Sequence, residues 1–208
     1  MYHTRAILPL GLLAALAGCG GKIRYPNYYV LSVPAPPSAT TQARSTAGSV
    51  AVREFSAPRY LKEGSIVYRP SPEQVDFYNY ARWAEDPRLA VTQAMAREIQ
   101  ARGLFDSVDV FDGRLTPKYM LTGTLDHLEE VDEGSKVSIK VGVSARLADA
   151  ATGEVLWQGE STKVATLDQR SVAGIVSAMS HELASAVADL AGSIQDRLAT
   201  ASSSARVN

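Results

Sequence analysis

The sequence predicts an α+β fold, and three observations carry that prediction. Lys136 to Leu147 alternates along its whole length. Val137, Ile139, Val141, Val143, Ala145 and Leu147 fall on one face, and Ser138, Lys140, Gly142, Ser144 and Arg146 on the other. A period of two is the pattern of a half-buried antiparallel strand. Strand-like stretches flank it on both sides, so 119–166 reads as a three-strand meander. Two other stretches carry an apolar helical face, the last of them in steps of three and four, the period of an amphipathic helix.

The elements follow in order. Tyr28 to Val33 is aromatic and β-branched and reads as a strand. Pro34 to Ser49 is rich in Pro, Ala, Ser and Thr and reads as a loop. Ser49 to Phe55 alternates around Val50 and Val52. Ser65–Arg69 and Gln74–Tyr78 are two short strands around a Pro70-Ser71-Pro72-Glu73 hairpin loop. Asp86 suits an N-cap and Pro87 the first helical position, and Gly103 supplies a stop, which places a helix at 87–102. Ser107 to Phe111 is a short strand. Tyr119–Glu130, Lys136–Leu147 and Glu154–Thr166 form the meander, with Asp149 to Gly153 as its second turn. The last helix runs from Gln169 to Ala199 on a stripe of Val172, Ile175, Val176, Met179, Leu183, Val187, Leu190, Ile194 and Leu198. Its other positions are mostly Ala and Ser. That second face is either a plain surface or a close-packing face, including one for another subunit in a homo-oligomer.

The N-terminus is the most informative segment. A basic start is followed by the apolar run Ala6 to Ala17, then Gly18 and Cys19. This is the pattern of a secretory signal, and the run is shorter than the roughly 20 residues of a membrane span. Leu16-Ala17-Gly18-Cys19 resembles the bacterial lipobox, which implies cleavage before Cys19 and attachment of diacylglycerol to its sulfur, with palmitate among the expected acyl groups. By resemblance to enterobacterial sorting rules, Gly20 in place of Asp after the cysteine implies the outer membrane. The expected organisation is a signal peptide at 1–18, a lipidated tether at 19–27, one α+β domain at 28–199 and a flexible tail at 200–208.

Composition narrows the function. The 208 residues carry a net charge of −1, with 46% hydrophobic and 21% charged residues. That is enough apolar surface for a core, and it lacks the basic excess of a nucleic-acid binder. A single cysteine excludes an intrachain disulfide and a cysteine-based zinc site. His3 lies in the leader, which leaves His127 and His181, too few for most histidine metal sites. No nucleophile signature and no phosphate-binding glycine loop occurs. Neither a metal nor a cofactor beyond the covalent lipid on Cys19 is expected, and no enzyme. His127 and Glu129 share a strand face, so a pair is conceivable, but a solvent-facing strand end is the expectation. The run Glu129, Glu130, Asp132, Glu133 likewise reads as a solvated hairpin end.

The aromatic residues cluster. Tyr60, Tyr68, Phe77, Tyr78, Tyr80 and Trp83 fall close together, interleaved with Arg59, Arg69 and Arg82. Either they pack the hairpin against the first helix, or they form a docking surface, since Tyr, Trp and Arg dominate protein–protein hot spots. On the second reading Arg69, Tyr78, Tyr80, Arg82 and Trp83 are the candidate contacts.

Three segments together resemble the ABC-type transport auxiliary lipoprotein family, the PqiC type. They are Tyr28-Tyr29-Val30-Leu31; Pro58-Arg59-Tyr60-Leu61 with Ile66-Val67-Tyr68-Arg69; and Tyr80-Ala81-Arg82-Trp83-Ala84-Glu85 leading into the helix. The resemblance implies a small α/β sandwich, with helices on a mainly antiparallel sheet. It also implies a non-enzymatic accessory of a transporter whose substrate-binding part is an MCE-domain protein, moving lipids between the inner and outer membranes. Another envelope assembly lipoprotein, regulating a secretion channel or cell-wall synthesis, is the alternative.

Overall fold

The computed structural model describes residues 24–36, 48–134 and 136–204. The strands are β1 (Asn27–Tyr29), β2 (Ser49–Val52), β3 (Ser65–Ser71), β4 (Gln74–Trp83), β5 (Ser107–Val110), β6 (Tyr119–Glu133), β7 (Lys136–Asp149) and β8 (Val155–Leu167). The helices are α1 (Pro87–Ala101), between β4 and β5, and α2 (Val172–Ser204), at the end. A 3-10 turn at Arg59–Lys62 precedes β3. The leader, Cys19 and the tether up to residue 23 lie outside the described residues.

All eight strands join one mixed sheet. Its long ladders are antiparallel, β6 with β7, β7 with β8 and β3 with β4. Short parallel pairings complete it, β1 with β4, β3 with β6, and β2 with both β6 and β5. Strand β6 is the axis. β7 takes one of its edges from Tyr119 to Glu133. The other edge is divided, with β2 at residues 119–121 and β3 at residues 129–131. Between them the chain after β2 stays bonded: Ser56 N–H donates to the Gly123 carbonyl at 2.9 Å, and Leu125 N–H to the Ser56 carbonyl at 2.8 Å. A buried strand must satisfy both of its edges, and here three segments share the task.

The α+β expectation holds, with the two helices packed on a mostly antiparallel mixed sheet. The odd-numbered apolar residues of β7 face α2. Trp157, beside Leu147, donates its indole N–H to Ser193 Oγ at 3.0 Å, and Ser161, beside Val143, donates to Asp189 at 2.9 Å. Helix α1 lies against α2, β5 and β2. Its start is as predicted, with Asp86 Oδ1 accepting from Arg88 N–H at 2.9 Å. Thr92 ties it to the sheet, accepting from Phe55 N–H at 3.0 Å. The small residues of α2 serve close packing on at least one side. Arg102, just past α1, reaches the Ala188 carbonyl at 3.1 Å over Gly192.

The strand limits shift for tertiary reasons. β1 ends at Tyr29, short of the predicted Val33, because its partner β4 ends at Trp83 opposite Tyr29. The chain then crosses to α2, where Ser32 N–H donates to Ser180 Oγ at 3.1 Å. β4 runs five residues past the predicted Tyr78, because β1 pairs with its last three. A large bulge lies inside it: Ser65 pairs with Arg82 but Val67 with Phe77, so residues 78–81 arch away from β3. Helix α2 continues to Ser204, into the expected tail.

A row of small residues, Gly123, Ala145 and Gly159, crosses the meander. The Phe55 ring fills the space above Gly123, where a methyl group would overlap the ring and approach the Ser144 carbonyl oxygen to 2.6 Å. Gly123→Ala is expected to destabilise the fold by roughly 1–3 kcal/mol. Urea unfolding of Gly123→Ala, Phe55→Leu and the double variant checks it. The double variant should be more stable than the sum of the single changes allows, and strict additivity would show that the ring is not the obstacle.

Candidate functional site

The predicted contact residues divide into three groups. Trp83 is 6% exposed and belongs to the main core with Leu61, Ala81 and Val91. Its N–H donates to the Gly64 carbonyl at 2.8 Å, and its backbone pairs with Tyr29, so Arg82 faces out and Trp83 faces in. This corrects its assignment as a contact residue. Arg69 is committed internally. Its Nε and Nη2 donate to Glu129 at 3.1 and 2.9 Å, its Nη1 to the Pro72 carbonyl at 2.9 Å, and its guanidinium lies 6.0 Å from the Tyr60 ring centre. Tyr78 is committed too, donating its hydroxyl to Glu130 at 2.5 Å. Only Tyr80 and Arg82 of the five are exposed.

Glu129 and Glu130, at the start of the acidic run, are not solvated. Glu129 is 1% exposed and Glu130 is fully buried. Neighbouring strand residues point to opposite faces, so each carboxylate finds its own arginine. Glu129, opposite Lys140, lies on the face away from α2, clamped by Arg69. His127 does pair with it, Nδ1 to Oε1 at 3.1 Å. Glu130, opposite Ile139, lies on the helix face, where Arg170 Nε approaches Oε1 to 2.8 Å as an ion pair without hydrogen-bond alignment. Arg170 also pairs with Asp132. Burial raises the Glu130 carboxyl above its ordinary range, against the opposing pull of the Tyr78 hydroxyl and Arg170. Burial and the Glu130 carboxylate together push the Tyr78 hydroxyl far above its ordinary range, so it stays a donor. Two adjacent glutamates in a predicted strand are a readable demand for cations on both faces. Arg170, just ahead of the last helix, carries no sequence sign of being one of them.

Exposed aromatic and apolar residues that the sequence did not group collect along the N-terminal edge of the sheet, on both of its faces. Tyr25, Tyr28, Val30 and Tyr80 are 77, 64, 56 and 47% exposed. Tyr28 stands beside Arg82 across the β1–β4 ladder, and the Arg24 guanidinium lies 5.5 Å from the Tyr80 ring centre. On the α2 side of this edge, opposite Tyr28 and Arg82, the β4 bulge, Arg24, Tyr25, Tyr29 and the first residue of α2, Val172, enclose a cleft of about 440 Å³. Sequence proximity hides this grouping, because more than fifty residues separate Tyr25 from Tyr80.

A second groove, about 530 Å³, runs over the open face of the meander between Ser56, Thr124, Ser144, Arg146 and Glu160. It is lined mainly by polar side chains, with Ser144 opposite Glu160 across the β7–β8 ladder. Among the described residues no group of three His, Cys, Asp or Glu stands close enough to hold a metal ion, and no helix is long and apolar enough to cross a membrane.

Comparison with known proteins gives the fold a context. A family model described as the ABC-type transport auxiliary lipoprotein component matches residues 29–191. A crystal structure of a Xanthomonas campestris protein of the DUF330 family superposes with a TM-score of 0.71 at 19% identity, covering 84% of this chain and 98% of that one. A second solved structure, of an uncharacterized protein, superposes at 0.63 with 16% identity, covering 82% and 99%. At these identities the likeness establishes the fold. No curated protein matches the chain.

Two predictions test the internal assignments. Trp83→Ala should cost roughly 3–5 kcal/mol as a core truncation. Arg69→Ala should cost a similar amount, about 3–5 kcal/mol, because it strands a buried carboxylate. A melting temperature unchanged by either would return that residue to the surface. The second prediction concerns pH. The folded chain keeps a proton on Glu130 at a pH where the unfolded chain has released it. Stability from this group is thus fully present below the ordinary carboxylate range and lost as pH rises through the raised folded value. Glu130→Gln removes that loss, so its stability relative to wild type should increase as pH rises through and above the ordinary carboxylate range. Urea midpoints across that window measure it, and a pH-independent difference would exonerate Glu130.

Proposed function

The chain belongs to the ABC-type transport auxiliary lipoprotein family, and on that premise we propose that it is a non-enzymatic accessory anchored through Cys19 at the periplasmic face of the outer membrane. Its partner in this reading is the MCE-domain protein of an ABC transport system that moves lipids between the two membranes. The observation that carries the accessory role is the extent of the match, which takes in seven complete strands and all of α1, and follows α2 as far as Ala191. The disposition of polar groups supports a role without chemistry. The His127–Glu129 pair has its carboxylate locked by Arg69 and buried, so it serves the fold instead of a substrate. The anchor rests on the Leu16-Ala17-Gly18-Cys19 sequence, five residues before the first described one.

Cell fractionation with mass spectrometry tests the anchor. The wild type should sediment with outer membranes and carry an acylated Cys19, and Cys19→Ser should lose both. Affinity purification of the full-length protein tests the partner. Recovery of the MCE-domain protein is the expected outcome. Recovery of secretion-channel or cell-wall synthesis components in its place would overturn the transport reading.

A further inference from the structure

We propose that the exposed β1 edge of the sheet, with Tyr28 and Arg82 on one face and Arg24, Tyr25 and Tyr80 around the cleft on the other, rests in the headgroup layer of an anionic phospholipid bilayer and fixes how the domain stands on the membrane. The inference depends on the lipid anchor at Cys19 proposed above and goes beyond it, because an anchor alone leaves orientation free. The first support is the length of the leash. Arg24 is the fifth residue after Cys19, and five steps of about 3.3–3.6 Å reach no more than roughly 18 Å. A headgroup layer is itself about 5–8 Å deep on each side of the hydrocarbon. The surface where the leash enters the fold therefore cannot stand far from the bilayer. A protein reaching across from the opposite membrane meets the other end of the domain first.

Composition is the second support. Tyrosine places an apolar ring at headgroup depth and keeps its hydroxyl in water, and an arginine guanidinium pairs with phosphate oxygens. Both kinds of residue are present as neighbours, Tyr28 with Arg82 and Arg24 over Tyr80. Val30 adds an apolar contact, 56% exposed with no strand to pair it. Charge is the third support. Lys22 and Arg24 lie between Cys19 and β1, and no Asp or Glu occurs in the chain before Glu54. An anionic surface attracts such a segment. The sequence offered Tyr80 and Arg82 to a protein partner. Their position beside the tether gives them to the membrane.

The test uses full-length, lipidated protein in vesicles of phosphatidylethanolamine and phosphatidylglycerol that contain headgroup-quencher lipids. With Cys19 acylated, an introduced cysteine is the sole free thiol. Fluorophores are attached at Tyr28→Cys, Tyr80→Cys and, as the distant control, Val155→Cys. Val155 is exposed on β8, five strand spacings from β1, about 24 Å along the sheet. Labels at 28 and 80 should be quenched several-fold more than the label at 155. Arg24→Glu combined with Arg82→Glu should bring them down to the control level with the melting temperature unchanged. Equal quenching at all three positions in acylated, floated protein overturns the orientation proposal and leaves the anchor standing. Protein with no acyl chain that fails to float overturns the anchor and this proposal together. Labels at 28 and 80 that are shielded only when the MCE-domain protein is added also overturn it, and make the surface a protein interface.

Discussion

Backbone hydrogen bonding along β6 is the constraint on which the rest of the sheet depends. The strand is fifteen residues long and interior to the sheet, so both edges must be satisfied. β7 can cover one edge throughout because a tight antiparallel hairpin joins the two. No single strand covers the other edge. β2 and β3 take its two ends, both parallel to it, and the stretch around Ser56 closes the interval. Parallel neighbours need crossover connections, and α1 supplies one, carrying the chain from β4 near one edge of the sheet to β5 at the other. Its companion α2 then covers the meander.

The same strand carries the costliest groups in the fold. Adjacent buried carboxylates are tolerable only because the pleat sends them to opposite faces, each with an arginine waiting. Arg69 arrives from β3, one strand away, and Arg170 from the approach to α2. Burial of ion pairs adds little net stability, but here it discriminates between registers. A one-residue slip of β6 would exchange the faces and present Glu129 to the α2 side and Glu130 to the open side, each without its arginine. The charges thus specify the one alignment in which the division of the β6 edge works.

The N-terminal edge has the mechanical character that an anchored accessory requires. β1 enters the sheet as its edge strand within a few residues of the described start, bonded to β4, and Ser32 ties the following segment to α2. A pull on the N-terminus is therefore borne by the sheet and the long helix together, with little slack. Tyrosines and arginines collect where that edge meets solvent, while the polar open face of the meander lies some strands away. In the proposed role these are two ends with different duties, one toward the anchor and one available to other components of the transport system.

What the sequence determined by itself is whatever depends on local period and local caps. The alternation of β7, the three-and-four stripe of α2, and the Asp86-Pro87 entry to α1 each follow from neighbours within one or two turns, and each is found where the residues place it. Tyr80, Ala81, Arg82 and Trp83 show the limit. Their strand has no clean alternation because a bulge interrupts it, and its existence depends on β1, more than fifty residues earlier. Trp83 looked like a hot spot by residue type, yet a register set by Tyr29 and Gly64 turned it inward. Glu129 and Glu130 looked solvated because charge usually is, and only the meeting of β3, β6 and the start of α2 shows that their partners are internal. The meeting of Tyr25, Tyr28 and Tyr80 at one edge of the sheet was likewise decided by tertiary structure alone. Burial, ion pairing and surface patches depend on contacts between residues far apart in the chain, and no local pattern encodes which strand will lie beside which.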